Sequence, residues 1–381
     1  MKKKILICSI MCCIMIFLQA CNVSVNSGTA DKKEAGESTP AAALMGENQP
    51  GAAQTPISEL YSKGKEFAEK EDYKGALPYF AEAAEAGDIN AQNYLGYMFF
   101  NGYGVTQDYK KAIDWYSQAA RQGDAGAQTK LGVIYYYGYG ADQDYDKAIE
   151  WFTKAAEQGD TLAQTMVGAM YDFGEGVDQD YAKAAEWYAK AADQGDAVAQ
   201  RSLGSMYLEG DGVEQDYNKA LEWYTKAADQ GDADAQNNLG DVYYYGKGVK
   251  KDYKKAADLY AESADQGHTD AMLNLGCMYC YGEGVEKDID KGLELFAMAA
   301  DQGNASAQYN LGAAYDRGEG VDQDYGKAMV WYAMAADQGH EKAKERYDEL
   351  KSKGYKEAET KDEKSGDKEE KDEDKEDGKA K

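Results

Sequence analysis

The chain has 381 residues, a length that would ordinarily divide into two or three domains. It holds 41 glycines and 32 tyrosines but 4 prolines and 2 histidines, and its formal net charge is −27. That acidity repels phosphate backbones and excludes nucleic acid as a partner. Two histidines leave little for multi-histidine metal sites or histidine-based catalysis, so no cofactor and no metal are expected.

Residues 1–20 read as an export signal. Lys2, Lys3 and Lys4 precede the apolar run Ile5 to Phe17, whose 13 residues fall short of the roughly 20 that span a bilayer. Leu18, Gln19, Ala20 and Cys21 follow, and this Leu-x-Ala-Cys resembles the bacterial lipobox. The resemblance implies that Cys21 is lipidated and becomes the N-terminus of a bacterial lipoprotein. Such a chain is held extracytoplasmically in the cell envelope, anchored to a membrane through its lipid. Residues 21–56 are polar and small, carry Pro40, Pro50 and Pro56, and show no apolar period. They read as a disordered tether, about 30–35 Å in root-mean-square span.

A 36-residue period organises the rest. An apolar residue followed by glycine recurs at Gly96, Gly132, Gly168, Gly204, Gly240, Gly276 and Gly312. A second glycine series runs from Gly123 to Gly339 at the same step, and a Gly-x-Gly pair runs from Gly102/Gly104 to Gly318/Gly320. Within a unit, Ala127, Leu131, Ile134 and Tyr135 fall at helical spacing, as do Ala148, Trp151, Phe152, Ala155 and Ala156. Each unit is therefore predicted to be two helices joined by a Gly-x-Gly loop. Asp124, Asp160, Asp196 and Asp232 stand as N-caps of first helices, and Asp144, Asp180, Asp216, Asp252, Asp288 and Asp324 stand where second helices begin. One helix pair cannot bury its apolar face alone, so the units must stack.

The pattern Ala-x-x-x-Leu-Gly-x-x-Tyr-x-x-Gly-x-Gly-Val, then Asp-Tyr-x-Lys-Ala-x-x-Trp-Tyr-x-x-Ala-Ala, is carried almost letter for letter by residues 199–228. It resembles the Sel-1-like repeat family, relatives of the tetratricopeptide repeat, over about 57–345. The resemblance implies an all-α, right-handed α/α superhelical solenoid of Sel-1-like/TPR-like helix pairs. Residues 57–87 lack the Gly-x-Gly loop and read as a tetratricopeptide-like N-terminal capping unit. Seven repeats occupy 88–339. Residues 340–355 form a C-terminal capping helix, where Tyr347-Asp348 replaces the apolar-Gly pair. The 12 acidic and 8 basic residues of 356–381 read as a disordered charged tail. With signal (+3), tether (−2) and tail (−4) set aside, residues 57–355 carry −24.

Few residues offer chemistry. Gly-x-Gly-Val lacks the preceding strand and following Lys of a phosphate loop. Asp142-x-Asp144-x-Asp146 opens like a calcium loop, but Lys147 and Thr153 occupy the positions that need Gly and Glu. Cys277 and Cys280 lie late in a first helix, where the dipole does not activate a thiol. His268 and His340 stand where other units place a capping Asp. No catalytic set emerges, and the chain is not expected to be an enzyme.

Residues that vary between units around the apolar-Gly pair are the expected binding surface. They are Tyr97, Tyr136, Tyr137, Asp172, Phe173, Arg201, Glu209, Asn237, Asp241, Tyr244, Tyr245, Tyr281, Tyr309, Asp316 and Arg317, with Asn93, Thr129 and Thr165 beside them. Their offsets place them on the exposed side of first helices, which in tetratricopeptide-like solenoids resembles a concave, ligand-holding groove. Tyrosine beside carboxylates suits a basic or aromatic-rich protein or peptide. The expected function is a lipid-anchored scaffold or adaptor. The alternative is a cell-envelope enzyme or cell-wall-polymer binder, since some cysteine-rich relatives are linked to β-lactam hydrolysis. Their cysteine framework is missing here.

Overall fold

The computed structural model describes residues 55–358. Cys21, the export signal, nearly all of the tether, and the tail from residue 359 lie outside the described residues. Two compact units divide the chain, residues 1–251 and 252–381. The first holds α1 (Ile57–Ala68), α2 (Tyr73–Glu85), α3 (Ile89–Asn101), α4 (Tyr109–Arg121), α5 (Ala125–Tyr137), α6 (Tyr145–Glu157), α7 (Thr161–Phe173), α8 (Tyr181–Asp193), α9 (Ala197–Glu209), α10 (Tyr217–Asp229) and α11 (Ala233–Tyr245). The second holds α12 (Tyr253–Asp265), α13 (Thr269–Tyr281), α14 (Ile289–Asp301), α15 (Ala305–Arg317), α16 (Tyr325–Asp337) and α17 (Glu341–Ser352). Within each unit every helix packs on its neighbours in chain order, so each unit is a stack of helix pairs in a repeat solenoid.

Helix ends follow from the repeated residues. The side chains of Asp88, Asp124, Asp160, Asp196 and Asp232 accept the amide three residues on at 2.7–2.8 Å, which caps the first helices. His268 and His340 do the same through Nδ1, at 3.1 and 3.2 Å. First helices end on a left-handed glycine, as at Gly138 (φ 75°) and Gly174 (φ 68°). The second loop glycine is needed for a different reason. A Cβ on Gly140 would lie 2.3 Å from Cβ of Tyr109, and one on Gly212 would lie 2.2 Å from the Tyr181 carbonyl carbon. The loop of one repeat thus rests on the start of the previous second helix.

Inside each pair that lies within one unit, the helical glycine faces a ring. A Cβ on Gly132 would stand 2.5 Å from Phe152, on Gly168 2.7 Å from Tyr188, and on Gly312 2.7 Å from Tyr332. Between pairs runs a buried glutamine ladder that the sequence reading did not anticipate. Gln164 donates to the Ala156 carbonyl (3.1 Å) and accepts from Gln194 (2.7 Å), and Gln128, Gln200 and Gln308 repeat both contacts. Met272 breaks the series, offering only sulfur to Gln302 at 3.8 Å.

The stack closes by imitating itself. Gly354 continues the loop-glycine series 36 residues after Gly318 and has φ 89°. The Tyr355 ring then packs on Tyr325 at 4.3 Å, and the Ala358 amide donates to the Gly326 carbonyl at 3.1 Å. Residues 354–358 fill the place where the loop of a further repeat would rest.

Two stability outcomes are expected in chemical denaturation. Gly132→Ala gains helix propensity of about 1 kcal/mol but forces a methyl into the Phe152 ring, an overpacking cost of about 1–3 kcal/mol, so it lowers stability. Gly126→Ala, whose Cβ meets only the Asp124 carboxylate oxygen at 3.3 Å, does not. Met272→Gln completes the ladder and raises stability by about 0.5–1.5 kcal/mol.

Candidate functional site

Each expected site residue occupies the fifth, ninth, twelfth or thirteenth position of a first helix, and position decides its fate. The thirteenth is where exposure concentrates. Tyr245 is 58% exposed, Tyr281 75%, and Glu209 and Arg317 are also exposed, while Tyr137 and Phe173 are half-buried. At the ninth, Tyr97 is half-buried against Tyr103 (ring centroids 5.3 Å), and Asp241 is half-buried.

The expectation of an exposed face fails at the other two positions. Thr129, Thr165, Arg201 and Asn237 at the fifth are buried, and so are Tyr136 and Asp316 at the twelfth. Asn93 and Asp172 are half-buried, and Tyr244 is half-buried with its ring 5.0 Å from Tyr245. The reason is the seam between successive first helices. Arg201 pairs with Asp232, the cap of the next first helix, at 3.0 Å and with Asp234 at 3.2 Å. Burial pushes the carboxyls of Asp160, Asp196 and Asp232 above their ordinary value, opposed only in part by the amides they cap and, at Asp232, by the Arg201 guanidinium. Tyr309 stands in the same relation to the cap His340, stacked at 4.6 Å. The fifth position is therefore turned toward the neighbouring cap rather than toward solvent.

In two repeats the twelfth position serves the buried ring of the second helix. Tyr332 donates its hydroxyl to Asp316 at 3.1 Å, and Tyr188 reaches Asp172 at 3.4 Å. Tyr136 instead donates to Glu175 of the next loop; burial first, and that carboxylate second, drive its hydroxyl far above the ordinary tyrosine value.

Three of the expected residues do converge. Tyr309, Asp316 and Arg317 line a cavity of about 720 Å³ in the second unit, between α15, the start of α16, and α17. The remaining walls come from Gln323, Tyr325 and Tyr332, and from Lys342, Glu345, Arg346 and Glu349 of the segment expected only to cap the stack. Continuing the 36-residue register into α17 would have found Lys342, Glu345 and Glu349, since they fall at its second, fifth and ninth positions. Arg346 organises the floor. Its Nε and a terminal nitrogen hold both oxygens of Asp316 at 2.6 and 2.9 Å, and it also pairs with Glu349. Burial by itself would raise the Asp316 carboxyl, but hydrogen bonds from Arg346 and Tyr332 outweigh it and hold the carboxyl below its usual value. The cavity is thus an aromatic and mixed-charge recess with Arg317 and Lys342 at its walls.

The two thiols offer little chemistry. Burial pushes Cys277 up to about 11 and raises Cys280 as well, the reverse of nucleophile activation. Among the described residues no cluster of three or more metal-ligating side chains forms, and no helix is long and apolar enough to cross a membrane.

Arg346→Met leaves a buried carboxylate unpaired, and a loss of about 3 kcal/mol in unfolding free energy at pH 7 is expected. Because the Asp316 value is depressed, the ion pair contributes above the unfolded carboxylate pKa near 3.9 and its contribution fades as pH falls through the lower folded value. The gap between wild type and variant should therefore close on acidification below about pH 4, read from denaturation curves at a series of pH values.

Eight consecutive segments of the chain match the Sel1 repeat, residues 51–88, 89–124, 125–160, 161–196, 197–232, 233–268, 269–304 and 305–340. The first of these includes the segment that lacks the Gly-x-Gly loop. Among solved structures, the chain is similar to c5321, a protective antigen present in uropathogenic Escherichia coli strains displaying an SLR fold. Identity is 37% and the TM-score 0.70, over 78% of this chain and 65% of that one. It is also similar to a Sel1 repeat protein from Oxalobacter formigenes, at 34% identity and a TM-score of 0.63, over 77% of this chain and 87% of that one. The match to the Escherichia coli protein therefore spans just under two thirds of its length. No curated protein sequence matches the chain. With eight matched segments across 51–340, the chain belongs to the Sel1 repeat family, whose solenoid is a fold commonly used for protein–protein interaction.

Proposed function

We infer that this chain is a non-enzymatic scaffold or adaptor, held at the bacterial cell envelope by a lipid on Cys21, that seats a protein or peptide segment in the cavity beside α15 and α17. The observation that carries the reading is the recess itself. Tyr309 gives a rigid aromatic wall, exposed Arg317 and Lys342 give cations, and Glu345 and Glu349 give carboxylates, within about 720 Å³. That volume lies in the range of pockets that enclose a few side chains. Tyr309 is already stacked on His340, so an incoming chain would meet a wall with little freedom left to lose. The negative charge of the repeats favours a partner with basic or aromatic groups. The Leu-x-Ala-Cys motif supports the anchor, and the tether would let the body stand off the membrane. The Escherichia coli relative is a protective antigen, which suits a chain presented outside the cytoplasm.

A photocrosslinking residue at Lys342, on the cavity wall, in intact cells, followed by identification of the captured protein, tests the seat. Tyr309→Ala with Arg317→Ala should lower capture at least tenfold while leaving the thermal midpoint within a few degrees. Undiminished capture would remove the cavity from the reading. Cys21→Ser should move the chain from the membrane fraction to the soluble fraction, and retention in the membrane would refute the anchor.

A further inference from the structure

Histidine occurs twice in the chain, and both copies cap first helices of the second unit. Aspartate caps α3, α5, α7, α9 and α11 of the first unit, and Asn304 caps α15 beside the two histidines, accepting the Ala307 amide at 2.9 Å. His340 caps α17, the helix that supplies Lys342, Glu345, Arg346 and Glu349 to the cavity. Its Nδ1 accepts the Ala343 amide at 3.2 Å, and its ring lies on Tyr309, another wall, at 4.6 Å. An Nδ1 that accepts carries no proton, so this imidazole is neutral with its hydrogen on Nε2. Protonation would turn the acceptor into a donor facing a donor, and would set a cation at the positive end of the helix dipole. The amide of Asn304 gains no proton under the same conditions.

The helices packed on α17 are α15 and α16, and their groups oppose this effect only in part. From α15 the Tyr309 ring would attract an imidazolium, but that contact survives protonation whereas the hydrogen bond does not. From α16 the Ala335 carbonyl accepts the His340 amide at 3.1 Å, and Asp337 beside it is exposed. On α17 itself Glu341, Lys342, Lys344 and Glu345 are exposed, where solvent screens them. The other charged groups lie toward the far end of α17. There Arg346 holds Asp316, Tyr332 donates to the same carboxylate, Arg317 follows it on α15, and Lys327 stands over the Tyr315 ring at 5.3 Å. We propose that His340 is a pH release for the cavity: its protonation on mild acidification frees the start of α17, and the Lys342 and Glu345 side of the recess lets a bound segment go. Release of a partner rests on the reading of the cavity as its seat. Imidazoles charge between about pH 5 and 8. Asp316, held below the usual carboxylate value, stays ionised there and keeps the far end of α17 fastened. The helix thus loosens from one end without detaching.

Hydrogen exchange of the full chain at about pH 7.5 and about pH 5.5, corrected for the intrinsic effect of pH, tests the release. Acidification should speed exchange of the Ala343 and Lys344 amides about fivefold relative to Ala307 and Gln308, their counterparts behind the Asn304 cap. His340→Asn copies that cap and should remove the difference. Capture by the Lys342 photocrosslinker, in intact cells held at each pH, should fall about fivefold on acidification in the parent chain and stay level with His340→Asn added. Equal change at the two helix starts would overturn the release, as would a difference that persists in His340→Asn. A loosened α17 whose capture ignores pH would overturn it as well. Loosening as expected with no capture at either pH would instead remove the cavity as a seat, with the pH response of α17 upheld. The comparison of two helix starts within the unaltered chain decides the matter even where the variant folds poorly.

Discussion

A ring pressed on bare backbone is the contact on which the rest of this structure depends. In every helix pair that lies within one unit, the second helix sends one aromatic side chain across to the glycine in the middle of its first helix, and that side chain fits only because the glycine has no Cβ. The contact brings the two helices close enough to exclude water, and it fixes their register because one ring can meet only one glycine. It also explains residues elsewhere in the pair. Where the ring is Tyr188, Tyr224 or Tyr332, a buried hydroxyl needs a partner, and Asp172, Ser205 and Asp316 stand within reach. Where the ring is Phe152 or Phe296 there is no hydroxyl, and the twelfth position is released to hold Tyr136 or Cys280. Cys280 thus needs no chemical purpose to occupy its place.

Stacking of pairs rests on a different kind of interaction. The aspartate caps are drawn into the seam, where burial disfavours their charge, yet each must stay charged to hold the helix amides strongly. At Asp232 the neighbouring first helix relieves this cost with the guanidinium of Arg201, 3.0 Å away. Beside it, the glutamine ladder satisfies carbonyls near the ends of second helices that would otherwise be left without partners in a dry interface. The core within a pair is apolar and shape-selective, whereas the seam between pairs is polar and partner-selective.

The helices, their caps and their glycine stops were legible in the sequence because each is a local effect repeated at an unvarying step of 36 residues. Asp124 caps its helix through an amide three residues away, and spacing alone reveals that. The binding face was only partly legible. Variation between repeats was taken to mark exposure, and at the thirteenth position it does, as Tyr281 and Arg317 show. At the fifth and twelfth positions a varying side chain is instead engaged with a partner 16 or about 31 residues away, as Asp316 is with Tyr332 and Arg201 with Asp232. A residue held by a distant partner looks unconstrained until the partner is known. The glutamine ladder escaped for the opposite reason: its residues scarcely vary, and invariance in a repeat does not distinguish a buried hydrogen bond from a core contact.

An array of this kind has few places left for recognition. The ninth position lies largely in the interior of the stack at Val133 and Ala169, the fifth serves caps, and the twelfth serves rings. What stays open is the thirteenth position, the outer faces of second helices, and any point where the repeat pattern lapses. All three kinds of opening occur in the second unit. There Tyr281 and Arg317 are exposed, Val330 and Met334 replace a surface ion pair, and α17 carries a first-helix register with no second helix after it among the described residues. The last lapse opens the cavity. Asp316 stands at a seam position of the array, and here it meets Arg346 of α17. Specificity in such a protein is expected where the repeats stop agreeing with one another, since agreement is what the stack consumes in holding itself together.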